Sequence, residues 1–295
     1  MMKQVQEIAD CDQLPERYIH KQDKEYGGNL ANAHETAAVV PVVDFSLLTT
    51  SSASELDKLK SAVTAWGCFQ AINHGIEGSF LDKVHEISKQ FFKLPAKEKK
   101  KYLREESDVE GYGNDTVFSD HQTLDWTDRL CLTVLPQDQQ RLHFWPQNPT
   151  HFREVLNEYS SKIKFISEVV LKSLARSLNL EEGSFMNQYG STVSMNARFN
   201  YYPPCPWPEK VFGAKAHADS SAITVLLQDK EVEGLQLLKD DQWFRVPIVQ
   251  DALTSNVGDQ MDVILFVFAK CLLACRDKEF VCLSRNKAYG KSFYF

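Results

Sequence analysis

His217-Ala218-Asp219 opens a β-type run, Ser220 to Leu227. On an extended strand, residues i and i+2 point to the same face, so an imidazole nitrogen and a carboxylate oxygen can meet on one metal ion. Two histidines and one carboxylate on one face of a non-heme Fe(II) ion leave three positions open for a bidentate co-substrate and O2. Taken alone, the three residues carry a second reading, a surface histidine beside a strand-end aspartate. The other histidines offer less. His74 follows Asn73 in a turn and reads as structural, and His121, His143 and His151 fall in an irregular aromatic stretch.

A metal-binding pair needs a rigid frame, and the hydrophobic periodicity supplies one. After Gly190 come short strand candidates separated by turn residues: Ser194 to Tyr202, Ala222 to Leu227, Gly234 to Leu238, Gln242 to Val246 and Leu253 to Val257. Before them lies the longest helix, Phe152 to Leu178. Its stripe runs Phe152, Leu156, Tyr159, Ile163, Ile166, Val170, Leu174 and Leu178. Earlier still, Val39 to Phe45 and Cys68 to Ile72 read as strands. Ser54 opens a helix with Asp57 as capping-box partner, and Val84, Ile87 and Phe91 mark a helix ending at Pro95. Glu110 to Pro149 reads as irregular and aromatic. The pattern is α+β: an N-terminal mixed helical region leaning on a jelly-roll core. Its divisions are a flexible arm over 1–38, an N-terminal region over 39–150, the long helix with the β core over 151–264, and a divergent tail over 265–295.

The 295 residues carry a net charge of -7, which argues against nucleic acid as a partner. The basic run Lys97 to Lys101 reads as a solvated face. The polar N-terminus has no apolar leader core, and the longest apolar run, Val263 to Cys275, is too short to span a bilayer, so no membrane partner is expected. Seven cysteines without a CxxC pair fit a reduced, cytoplasmic chain. The expected partner is a small molecule, and the expected state a monomer.

Longer motifs surround the His-x-Asp. Trp66-Gly67-Cys68-Phe69-Gln70-Ala71-Ile72-Asn73-His74-Gly75 and Asn200-Tyr201-Tyr202-Pro203-Pro204-Cys205-Pro206 precede it. Val232-Glu233-Gly234-Leu235-Gln236 and Asn256-Val257-Gly258-Asp259-Gln260 follow it. In order and spacing these resemble the plant Fe(II)- and 2-oxoglutarate-dependent dioxygenases, over residues 39 to 264. Leu124-Asp125-Trp126-Thr127-Asp128 and Phe144-Trp145-Pro146 resemble the senescence-related and alkaloid-demethylase branch. The resemblance implies a double-stranded β-helix and an oxidoreductase that hydroxylates, desaturates or demethylates a small plant metabolite. It implies Fe(II) and 2-oxoglutarate, with ascorbate as an accessory reductant. It implies His217 and Asp219 as iron ligands, and Asn200 and Tyr202 as residues lining the 2-oxoglutarate site. Asn and Tyr offer neutral hydrogen bonds to a dicarboxylate, while barrel packing is the competing role for Tyr202. Tyr112, Phe118 and Trp126 are the candidate substrate-pocket aromatics, with packing as their competing role.

The sequence departs from that pattern near Ile264. The family places a second iron histidine and then an Arg-x-Ser beyond this point, the arginine pairing with the distal carboxylate of 2-oxoglutarate. Here Leu265-Phe266-Val267 stands where a polar turn belongs. His217 is the last of the eight histidines, and Arg276 and Arg285 are each followed by residues that make no Arg-x-Ser. The tail's candidate donors are Cys271, Cys275, Asp277 and Glu279. The expectation is half a site on an incomplete barrel: a dioxygenase by family, or a catalytically impaired relative that binds without turnover.

Overall fold

The computed structural model describes residues 3–9, 11, 13–20, 40–106, 108–114, 117, 122–189, 193–240 and 242–261. Phe118, His121 and the candidate donors of the tail lie outside the described residues.

The first structural unit alternates short strands with helices: β1 (Val42–Asp44), α1 (Phe45–Thr49), α2 (Ala53–Trp66), β2 (Cys68–Ile72), α3 (Gly78–Lys93) and α4 (Ala96–Lys99). The Asp44 side chain caps α1 by accepting the Ser46 N–H at 3.0 Å. The capping box expected at Ser54 and Asp57 does not form. Helix α2 starts two residues earlier, with Ser52 in place of Ser54 as its N-cap, and the Ser52 and Ser54 hydroxyls bond each other at 3.1 Å. Gly67 stops α2 at φ +67°, where its N–H still reaches the Val63 carbonyl; a left-handed cap of this kind favours glycine.

The middle of the chain is more regular than its composition suggests. It contains β3 (Gly111–Gly113) and the eight-residue β4 (Asp128–Leu135). Leu130, Leu132 and Val134 alternate toward the core. That period-two signal lies among aromatic residues and prolines, and the expectation of an irregular stretch missed it. Helix α5 (Phe152–Ser177) follows, its stripe buried against the same core except at Ile163 and the C-capping Leu178, which are half-buried. Each fully buried large apolar side chain contributes on the order of 1.5–3 kcal/mol.

The remaining strands are β5 (Met195–Tyr201), β6 (Ile223–Leu226), β7 (Gln236–Lys239), β8 (Gln242–Arg245) and β9 (Leu253–Val257). They form a four-stranded sheet in the order β1-β2-β9-β6, a three-stranded sheet β3-β4-β5 and the hairpin β7-β8. Among the described residues these strands leave the barrel open.

Sheet β1-β2-β9-β6 has two unlike faces. Phe69, Ala71, Leu253, Val257 and Val225 join the main core with the helices. Cys68 and Leu226 face the other way, into a smaller core with Tyr202, Leu235, Leu237 and Val246. Gln70, Thr254, Thr224 and Asn256 lie on that second face by register, because Cys68 pairs with Asn256, Gln70 with Thr254 and Thr224 with Asn256.

Two further expectations are corrected. The described part of the expected arm is not loose: Val5, Ile8 and Tyr18 are buried with Leu124, Trp126, Cys205 and Val211. The Asp128 carboxylate anchors them by accepting the Val5 and Gln6 N–H groups at 2.7 and 2.9 Å. Nor is Lys99 on a solvated face. It is 4% exposed, and its ammonium donates to Gln6 Oε1 and to the Phe92 carbonyl. A basic run shows only average exposure, and one lysine in it serves to fasten the N-terminal segment.

Candidate metal centre

The segment before β6 is fastened from both ends. Lys215 is held by Asp125, whose Oδ1 accepts the Lys215 backbone N–H at 3.0 Å and its ammonium at 2.7 Å. The Lys215 carbonyl in turn accepts His217 Nδ1–H at 2.7 Å. With Nδ1 protonated, the neutral ring carries its lone pair on Nε2. At the other end, Asp259 N–H donates to the Asp219 carbonyl at 2.8 Å and Gly258 N–H to the Ala222 carbonyl at 3.0 Å. Gly258 is required by this close approach, since a Cβ there would stand 2.2 Å from the Ser221 carbonyl oxygen and 2.5 Å from that of Asp219.

His217 and Asp219 therefore sit in the loop before β6, not on the strand as the spacing suggested. Their common direction comes from these hydrogen bonds rather than from a β pleat. His217 Nε2 lies 3.6 Å from Asp219 Oδ1. The second carboxylate oxygen, Oδ2, accepts Thr224 Oγ1–H at 2.6 Å and Asn256 Nδ2–H at 2.9 Å. Partial loss of water works against charge on both side chains, although His217 stays 42% and Asp219 28% exposed. For His217 the Asp219 carboxylate and the Lys215 carbonyl outweigh it and raise the pKa above the usual value. For Asp219 the neighbouring His217 ring and the hydrogen bonds from Thr224 and Asn256 outweigh it and hold the carboxyl well below the usual carboxylate range. The carboxylate is thus ready as an anionic donor.

The pair fits a metal ion along one edge of its coordination shell. Two donors bound at right angles, each roughly 2.0–2.2 Å from the metal, lie about 3 Å apart. The observed 3.6 Å is within reach of a small side-chain rotation. No third partner joins them: among the described residues no group of three His, Cys, Asp or Glu side chains could hold a metal ion. The residues present fit two of the three protein positions of the iron centre.

The other expected site residues divide. Asn200, on β5, is buried on the polar face of the β4-β5 pair, and its Oδ1 accepts Arg198 Nε–H at 2.8 Å. That bond leaves the amide N–H groups as donors. Tyr202 is packed in the smaller core beside Cys68 and Leu226. Tyr112 is buried against Phe91 and Phe92, and Trp126 is buried against Tyr18 with its Nε1–H on the Pro203 carbonyl at 3.0 Å. Both of these aromatics make packing contacts. His74 is structural as expected, bonded through Nε2 to the Asp251 carbonyl at 2.8 Å. Thr224, Asn256, Lys215 and Arg198 were missed as contributors. Asn256 adjoins the Gly258 motif, and Thr224 is a polar residue in an apolar strand; both signals were readable.

Comparison with known proteins identifies the family. Residues 40–148 match the N-terminal family described as the non-haem dioxygenase in morphine synthesis, and residues 193–270 match the 2OG-Fe(II) oxygenase superfamily. Protein SRG1 of Arabidopsis thaliana is 37% identical over 255 residues, 85% of this chain and 70% of that protein. Codeine O-demethylase of Papaver somniferum is 38% identical over 266 residues, 88% of this chain and 74% of that protein. The crystal structure of JOX2 in complex with 2OG, Fe and JA superposes with a TM-score of 0.85 at 28% identity, covering 100% of this chain and 83% of that one. The core is thus the jelly roll of those oxygenases, and Fe(II) and 2-oxoglutarate are the metal and co-substrate of the group. The chain belongs to the plant-type Fe(II)- and 2-oxoglutarate-dependent dioxygenase family.

Proposed function

We propose that this chain oxidises a small plant metabolite, by hydroxylation, desaturation or demethylation, with 2-oxoglutarate and O2 as co-substrates, and that His217 and Asp219 hold the Fe(II). The observation that carries this reading is the oriented pair. His217 Nε2 and Asp219 Oδ1 face each other at 3.6 Å while the other nitrogen and the other oxygen are engaged elsewhere. Relatives named as demethylases of codeine, thebaine and a flavonoid support the reaction class. Bound Fe(II) with 2-oxoglutarate supplies the oxidation of a substrate C–H bond. The chain's own residues hold and orient: Lys215 fixes the His217 tautomer, Thr224 and Asn256 fix the Asp219 rotamer, and Asn200 offers amide donors to a carboxylate ligand.

The sequence also favours a second reading, a relative that binds without turnover, because no histidine follows His217 in the 295 residues and no Arg-x-Ser follows it either. In either case the chain is read as a cytoplasmic monomer acting on a small molecule. Support for a reducing compartment comes from the free thiols Cys11, Cys68, Cys131 and Cys205 among the described residues.

The test is anaerobic addition of Fe(II) and 2-oxoglutarate to the purified chain, followed by O2 with ascorbate present. The oxidase reading expects a weak visible charge-transfer band and then succinate, both lost in His217→Ala. A band without succinate supports the binding reading. No band in this chain, with a band restored by grafting a relative's histidine- and arginine-bearing segment after Ile264, overturns the catalytic reading.

A further inference from the structure

Asp219 is held by two donors that arrive from neighbouring strands. Thr224 on β6 and Asn256 on β9 are directly opposite partners in the sheet, so their side chains rise on the same face and converge. Both donate to the same atom, Asp219 Oδ2, at 2.6 and 2.9 Å. The Thr224 hydroxyl has one proton, and that proton is spent on Asp219. Its contact with Ser221 Oγ at 3.0 Å is therefore one in which Thr224 accepts. Asp219 Oδ1 takes no part in this network and faces His217 Nε2.

The geometry points to Thr224 and Asn256 as positioning residues that make Asp219 a one-oxygen metal ligand. This rests on the reading of His217 and Asp219 as metal ligands. A carboxylate free to turn about Cβ–Cγ presents either oxygen, or both, and a two-oxygen grip would occupy a second coordination position. Tying Oδ2 to two strand residues leaves Oδ1 as the donor and keeps the neighbouring position open for a bidentate co-substrate. The clamp carries more weight here than in a three-ligand site, because with only two protein donors among the described residues the orientation of each is a larger share of the affinity. Gly258 serves the same end, since the backbone contact it allows locks β9, and with it Asn256, against the Asp219 loop.

The test uses Mn(II) alone, titrated into the full chain and followed by the electron paramagnetic resonance of the free ion. Thr224→Val keeps the shape and removes the hydroxyl, and Asn256→Leu removes the amide donor. Each is expected to weaken Mn(II) binding about tenfold, the lower end of the effect of losing an outer-shell partner. Thr224→Ser restores the hydroxyl and is expected to recover most of the loss. Thr224→Val also lowers the unfolding temperature of the metal-free protein, because the Asp219 carboxylate loses a donor, so binding is read well below that temperature. A merely structural role would lower the temperature and leave the affinity of the folded protein unchanged. Mn(II) binding that depends on His217 and Asp219 but is indifferent to Thr224→Val and Asn256→Leu overturns this inference alone. Failure of Thr224→Ser to recover affinity overturns it as well. If the native chain binds no Mn(II), or if binding survives His217→Ala with Asp219→Ala, the ligand assignment falls and the inference with it.

Discussion

The two faces of the β2-β9-β6 sheet are built from the same strands and obey different rules. Toward the helices stand Phe69, Ala71, Val225, Leu253 and Val257, all in the main core. Toward the site stand Gln70, Thr224, Thr254 and Asn256, each with a hydrogen-bond partner: the Pro247 carbonyl, Asp219, Gln228 and Asp219 respectively. The first face is specified by volume and tolerates any apolar group that fits. The second is specified by which atom donates to which, and isosteric exchange there is not conservative. The pair proposed to bind metal is tied to the second face through Thr224 and Asn256, while the first holds the strands in register.

The largest effect expected from this contrast is on the volume-specified face. Phe69 is 1% exposed and packs into the main core. Phe69→Ala should lower unfolding free energy by about 3–5 kcal/mol, measured by chemical denaturation. The loss should be the same with and without metal, because the residue points away from Asp219. A loss under about 1 kcal/mol would mean that the helical face collapses around the gap and that the two faces do not differ as argued.

Much of this division was legible in the sequence. The five strand candidates after Gly190 and the stripe of α5 are observed within one or two residues, because their apolar periodicity is long and clean. The His217 and Asp219 pair was also legible, although its geometry is set by a loop rather than by strand pleating. The missed features depend on partners distant in sequence. Asp128, which receives the Val5 and Gln6 N–H groups from 123 and 122 residues away, is an ordinary aspartate until the fold brings that segment to it. The same holds for Lys99, which reaches Gln6 across 93 residues. Local pattern reports which face a residue takes; it does not report what meets it there.

The helix-facing core is not wholly apolar, and this gives it a pH dependence that the site face does not need. His85 on α3 is 5% exposed, and neither ring nitrogen has a hydrogen-bond partner among the described residues. Burial, with help from Lys89 and Lys230 and against Asp82, lowers its pKa from 6.5 to about 4. The folded state therefore binds fewer protons than the unfolded state between those values. Its stability is present in full above pH 6.5 and is lost as pH falls toward 4, by up to about 3 kcal/mol for such a shift. His20 contributes in the same direction, while Asp128, raised to about 6 by burial, opposes both. The readout is thus the difference between native chain and His85→Leu. The variant should lose less stability from pH 6.5 to pH 4.5, and parallel curves would show that His85 gains its proton without leaving the core.

The finest test sits on two adjacent residues of β9. Thr254 and Ser255 are both polar and both 1% exposed, but they point to opposite faces. Thr254 Oγ1 accepts Gln228 Nε2–H at 2.7 Å, whereas Ser255 Oγ, turned toward Phe69 and Val225, has no hydrogen-bond partner among the described residues. Thr254→Val preserves volume and strands the Gln228 amide, so it should cost about 1–2 kcal/mol. Ser255→Ala removes a hydroxyl whose desolvation nothing repays, so it should be neutral or stabilise by up to about 1 kcal/mol. Opposite signs at neighbouring positions are what a two-rule sheet requires. If both substitutions destabilise equally, an ordered water satisfies Ser255, and the helix-facing side of β9 is then specified by hydrogen bonding as well as by volume.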